Sequence, residues 1–202
     1  MSHSTTFVVA AGLLWAAAGC VPAVKTASNG EPAMGARGRR ELAESVCSGW
    51  SDKSRLAARV LISRYGAPDV VGSSRLIWHG NGPWKRTIVR DVPRPYAGAA
   101  DEDLGVVEQT VSYVVNRRKS EALSRFSRRL SFDLARMEMT SRADREEVNF
   151  LLLNLANDVN GGAMTVPDAR YAYARILELE AAGKTTPYLL DLRFGPERPR
   201  TP

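Results

Sequence analysis

This sequence predicts one α+β domain, a small antiparallel sheet packed against several helices. Three observations predict it. Helix signals come first, strand signals follow, and helix signals return, the order expected when helices gather against an antiparallel sheet. Two β-rich runs flank the turn-forming Gly80-Asn81-Gly82-Pro83 and read as a hairpin. A dense apolar run, Val148 to Leu155, follows Asp144-Arg145-Glu146-Glu147, whose spacing is that of a capping box. With 202 residues, 44% hydrophobic and 25% charged, the chain has the makings of one globular domain with tails.

Each element follows from its residues. A weaker helix is read around Arg40 to Val46, and a stronger one from an N-cap at Ser51. Leu56, Ala57, Val60, Leu61 and Tyr65 recur on one helical stripe. Gly66 fits the left-handed position after that helix, and Pro68 prevents its continuation. Strands are read at Arg75–His79 and Trp84–Val89; Pro83 lacks a ladder donor and suits a strand start. Residues 91–104 read as a long loop. From Val106 to Val115 the chain alternates, with Val107, Val111, Tyr113 and Val115 on one side and Glu108, Thr110 and Ser112 on the other.

A short basic helix is expected over Ser120 to Arg129, then an alternating run from Leu130 to Leu134. Met137 and Met139 fall out of step with Leu134, which requires a bulge or turn near Ala135-Arg136. The helix from Arg145 to Val159 is apolar around much of its circumference and is expected at the centre, ended by Gly161-Gly162. Thr165-Val166-Pro167-Asp168 opens the last helix, with proline in the first turn. Tyr173, Ile176, Leu177 and Ala181 line its stripe, and Gly183 closes it. Tyr188, Leu190, Leu192 and Phe194 then alternate, as a last strand or an extended segment over the core.

The N-terminus has a different composition. Phe7 to Val24 carries no charge, and small residues Ala16 to Gly19 end its apolar run, as in a signal peptide. Ala17-Ala18-Gly19-Cys20 resembles the bacterial lipobox, in which the cysteine receives lipid and becomes the mature N-terminus. It departs from that pattern in having Ala17 where leucine is usual, and MSHSTT lacks a Lys or Arg. The resemblance implies an envelope protein anchored through Cys20, in the outer membrane facing the periplasm, because Val21 is not an inner-membrane-retaining Asp. Cleavage after Ala18, with Cys20 and Cys47 free to pair, is a second reading. Retention of the segment as an uncleaved anchor is a third. The expected organisation is a signal peptide over 1–19, a flexible tether over 20–44, the domain over 45–194 and a mobile tail over 195–202.

Charge and side-chain chemistry bound the function. The net charge is +6, carried by 23 arginines and only five lysines. Guanidinium forks suit phosphates and carboxylates, although a genome rich in Arg codons gives the same bias. His3 and His79 with Cys20 and Cys47 are too few and too scattered for a zinc site, and no metal or other cofactor is expected.

Several stretches carry a resemblance. Trp50-Ser51-x-x-Ser54, Tyr65-Gly66-x-Pro68-Asp69, Leu76-Ile77-Trp78-His79, Gly82-Pro83-Trp84-Lys85-Arg86-Thr87 and Asn149-Phe150-Leu151-x-Leu153-Asn154-Leu155-Ala156 together resemble an uncharacterised bacterial exported lipoprotein family, over about residues 48–180. That family has no assigned activity, so the resemblance implies a fold. Where the family has histidines beside prolines this chain has Val92-Pro93-Arg94-Pro95-Tyr96, and where it ends a strand in Cys this chain has Ala143. The helix, Tyr65-Gly66-Ala67-Pro68-Asp69-Val70-Val71 and the Trp78 strand also resemble, over about 40 residues, the SmpA/OmlA-type outer-membrane lipoproteins of the β-barrel assembly machinery.

Candidate functional residues are few. Trp78 and Trp84 flank the turn with His79, Arg86 and Arg90 nearby, and aromatic and Arg residues together can make a recognition surface; they can equally be a core pair with solvated arginines. Arg125, Arg128 and Arg129 share the face of the basic helix, preceded by Arg117, Arg118 and Lys119. In an exported protein such a patch points to anionic lipid or an acidic envelope partner, and no nucleic-acid-binding motif accompanies it. Asp101, Glu102 and Asp103 read as solvated loop acids, and Glu146 and Glu147 as favourable charge at a helix N-terminus. Cys47 reads as a buried apolar residue. The favoured function is therefore a non-catalytic binding or assembly module. The alternative is a hydrolase-like enzyme using His79 with a carboxylate such as Asp91, opposed by the lack of any recognisable nucleophile motif.

Overall fold

The computed structural model describes residues 34–92 and 105–195. The expected signal peptide over 1–19, the expected lipidation site Cys20, the stretch read as tether before residue 34, the acids 101–103 and the stretch read as a tail beyond Gly195 lie outside the described residues. Within them the α+β expectation holds: six antiparallel strands form one sheet with helices packed against it.

Helix α1 (Ala36–Cys47) and α2 (Asp52–Tyr65) pack together ahead of the sheet. The first helix starts in what reads as tether, because Ala43 and Cys47 are buried against α2 and give it a folded surface. Ser51 is the N-cap of α2, but its hydroxyl pairs with Ser54 rather than with a helix N–H. The buried face of α2 is Ser54, Ala57, Ala58, Leu61 and Ile62, whereas Leu56 and Val60 are exposed. The expected stripe is thus displaced around the helix. Small side chains at 57 and 58 let α2 lie close to its neighbours, which leucine at 56 would prevent. Gly66 has φ 78°, a backbone that favours glycine, but ψ −156° makes it extended rather than left-handed helical.

Strands β1 (Val70–Gly72), β2 (Arg75–Asn81), β3 (Trp84–Arg90), β4 (Val107–Ser112), β5 (Leu130–Asp133) and β6 (Glu138–Ala143) are ordered β1-β2-β3-β4-β6-β5. Asn81 stays in the β2–β3 ladder opposite Trp84, so Gly82-Pro83 makes the reversal, with Gly82 at φ 64°. The phase shift before Met139 is a turn: β5 and β6 are a hairpin, with Met137 at φ 52°.

Helix α3 (Ser120–Phe126) ends before the expected Arg129, because Ser127 is extended and its hydroxyl accepts the Arg129 N–H. Helix α4 (Glu146–Gly161) is the central helix, with Val148 through Ala156 all buried. Its N-cap is Arg145, not Asp144, so the capping box does not form; Asp144 instead pairs with Lys53 of α2 at 2.8 Å. Gly162 is left-handed at its end. Helix α5 (Val166–Ala181) is capped by Thr165, whose hydroxyl accepts the Asp168 N–H. Pro187–Leu189 is a short 3-10 turn over α4, so the terminal segment is not a strand. Leu189 is buried there and Leu190 is 64% exposed, the reverse of the alternation read from sequence.

The helices cover one sheet face in two apolar clusters. One joins α1 and α2 to Leu76, Trp78, Val89 and Val107; the other joins α3, α4 and α5 to Val111, Tyr113 and Met139. A polar seam runs between them. Glu146, 3% exposed, accepts hydrogen bonds from Tyr65 Oη at 2.6 Å, Gln109 Nε2 at 2.6 Å, Trp84 Nε1 and Arg64. Asn149 Nδ2 in turn donates to Gln109 Oε1 at 2.9 Å. Burial raises the Tyr65 hydroxyl pKa, which keeps it a donor.

Candidate functional site

Alternation in β4 and β6 puts Glu108, Thr110 and Ser112 with Glu138, Thr140 and Arg142 on the sheet face away from the helices. Register sets Glu108 opposite Arg142 and Thr110 opposite Thr140. Arg86 and Arg90 of β3 join them, and the turn before β5 adds Arg128 and Arg129, with Arg136 from the β5–β6 turn. All of these but Thr110 and Ser112 line a trough of about 570 Å³. Six arginines against Glu108, Asp133 and Glu138 leave a formal excess of three positive charges.

The carboxylates in this trough hold cations in place. Glu108 accepts from Arg142 Nη2 at 2.6 Å and lies 3.5 Å from Arg90 Nη2. Burial alone would raise the Glu108 pKa, but the Arg142 hydrogen bond and the Arg90 and Arg142 charges together hold it below the usual range. Glu138 is 2.7 Å from Lys85 Nζ and 3.9 Å from Arg86 Nη2. Between the two carboxylates the Thr110 and Thr140 hydroxyls bond at 2.9 Å, and Arg86 Nη2 donates to Thr110 at 3.3 Å.

A second concavity of about 420 Å³ adjoins the first through Arg128 and Arg129. Arg125 and Arg170 complete its rim, and Phe126, Leu152 and Tyr173 line it, with no carboxylate among the described residues. Arg125, Arg128 and Arg129 therefore come together as expected, though not on one helical face. Arg125 sits on α3, while the other two sit in the turn after it. Arg125 pairs with Glu121 at 2.9 Å, and Arg170 donates to the Phe126 and Arg125 carbonyls at the end of α3.

The tryptophans are corrected. Trp78 is 2% exposed and donates to the Gly66 carbonyl at 3.1 Å. Trp84 is 1% exposed and stacks on Phe150 of α4 at 4.8 Å between ring centroids. Both are core, because α2 and α4 cover the hairpin. His79 is exposed opposite Arg86. Asp91 continues β3 five residues beyond Arg86, about 16 Å along the strand, and it accepts the Ser51 N–H at 3.0 Å instead. The carboxylate close to His79 is Asp69, which accepts the His79 backbone N–H at 2.7 Å. His79 and Asp91 are thus not assembled into a pair.

Cys47 is 2% exposed, and burial with the Asp91 charge raises its pKa to about 11, against a smaller lowering by Arg59. Such a thiol is a poor nucleophile. It should resist iodoacetamide at pH 8 in the native protein and react once urea unfolds the chain; equal rates in both states would contradict the burial. Because the neutral thiol is favoured by folding, its contribution to stability is intact below the unfolded pKa near 9 and fades as pH rises toward 11.

Among the described residues no three His, Cys, Asp or Glu side chains come together to hold a metal ion. Sequence reading passed over Arg90, Glu108, Glu138 and Arg142 as a set, and Glu146 as a buried acceptor. One signal existed for the seam: Gln109 is in phase with Val107 and Val111, a polar residue on an apolar face. Compared with protein-family models, curated proteins and solved structures, the chain matches none of them.

Proposed function

We propose that this chain is a lipid-anchored envelope protein whose domain is a non-catalytic module that binds an anionic partner. The observation that carries the reading is the convergence of Arg86, Arg125, Arg128 and Arg129 on two adjoining concavities with an excess of positive charge. Guanidinium forks present several donors each and match carboxylate or phosphate oxygens. The lipobox-like Ala17-Ala18-Gly19-Cys20 supports the anchor, which would hold the module at a membrane surface rich in anionic groups.

In-cell crosslinking with parallel palmitate labelling tests both halves. The wild type should take up label and capture discrete partners. Cys20→Ala should lose the label, and Arg125→Ser/Arg128→Ser/Arg129→Ser should keep the label and lose partners. Unchanged partners in the triple variant, with His79→Ala alone abolishing the cellular role of a folded protein, would replace the binding module with the enzyme.

A further inference from the structure

The far face of the sheet carries two separate cation pairs, each built on a shielded carboxylate; Arg86, Arg90, Arg142 and both carboxylates line the trough, and Lys85 reaches Glu138 from outside that lining. Glu108, its side chain 12% exposed, carries Arg90 and Arg142. Glu138, its side chain 7% exposed, carries Lys85 and Arg86. One carboxylate neutralises one cation, so each pair keeps one net positive charge in a fixed position. The guanidinium groups are not fully enclosed by the pairing: the Arg90 and Arg142 side chains are 37% and 50% exposed. Arg142 and Glu138 lie four residues apart on β6, which sets the two pairs about 13 Å apart along the strand. The Thr140 hydroxyl, which lines the trough and bonds Thr110 behind it, lies between them as a neutral hydrogen-bonding group.

We infer that this trough is a two-point binding site for a bisphosphorylated ligand, one phosphate on Arg90 and Arg142 and the other on Arg86, whose carboxylate partner Glu138 also holds Lys85. The inference rests on the binding-module reading and names its ligand chemistry. A terminal phosphate accepts from two cations at once, and two phosphates joined at the right span gain by effective concentration what one cannot. Arg86, Arg90 and Arg142 line a concavity, which suits a ligand that enters it better than a flat layer of headgroups.

The full chain in detergent can be titrated calorimetrically with 1,8-octanediol bisphosphate, 1,3-propanediol bisphosphate and octyl phosphate. The first should bind at least about ten-fold tighter than either of the others, since only it reaches both pairs. Arg86→Gln and Arg142→Gln should each erase that advantage, while Arg125→Gln should keep it. Each single variant leaves one cation on its carboxylate, and unchanged circular dichroism melts will confirm folding. Equal affinity for all three probes, or an advantage that survives both variants, would overturn the site. So would binding to phosphatidylglycerol vesicles that exceeds binding to every soluble probe. Failure here with the arginine-dependent crosslinks intact removes the ligand and leaves the module standing; loss of those crosslinks as well removes both.

Discussion

Leu152→Asp and Leu153→Asp should each prevent stable folding. Both side chains lie on α4 and are 1% and 0% exposed; Leu152 lies at the base of the arginine-rimmed second concavity, so Leu153→Asp, away from that rim, is the stricter of the two tests. An uncompensated buried charge costs several kcal/mol, against a total stability of about 5–15 kcal/mol for a typical domain. The expected result is loss of the cooperative melt by circular dichroism. A matched pair at the C-terminal segment sharpens the test. Leu189→Asp, at a buried site, should behave like the α4 variants, while Leu190→Asp, at an exposed one, should stay within about 0.5 kcal/mol of wild type. Wild-type melts for Leu152→Asp and Leu153→Asp would mean that α4 is not central.

Glu146→Ala should be the most damaging polar substitution, costing about 3–5 kcal/mol. It removes the shortest acceptor of the Trp84 indole and the Gln109 amide, leaving them only Tyr65 Oη at 3.2 Å and Thr87 Oγ1 at 3.5 Å, and it releases Arg64 and Tyr65. Glu146→Gln keeps one acceptor oxygen and should fall between alanine and wild type. Urea denaturation at neutral pH measures both. An alanine variant within about 1 kcal/mol of wild type would show that the seam is filled rather than bonded, since leaving a buried donor unsatisfied costs about that much or more.

The sequence made the order of elements legible because each carries its own local signal. Thr165 with Pro167 marks the start of α5, and the out-of-phase Met139 marks the β5–β6 turn. What stayed hidden depended on tertiary packing. Helix α2 offers two apolar stripes, and only the presence of α1 selects the one with Ala57 and Ala58 over the one with Leu56 and Val60. The paired tryptophans suggested a surface because nothing local says that Phe150, 66 positions after Trp84, will stack on it. The arginine trough was out of reach for the same reason. Arg90, Glu108 and Arg142 become neighbours only when β6 rather than β5 pairs with β4, and no local pattern specifies that order.

The two outermost strands of the sheet are its shortest, β1 with three residues and β5 with four. An incoming peptide that sought to extend the sheet would find only one or two free main-chain donors and acceptors on either side, too few to hold it in register. Partners that recognise by adding a strand are therefore turned away at both ends. Copies of the protein at high concentration are protected by the same truncation from zipping into fibres. Any recognition at the proposed site would then rest on side chains, so a change of one arginine would retune it without altering the backbone that presents it.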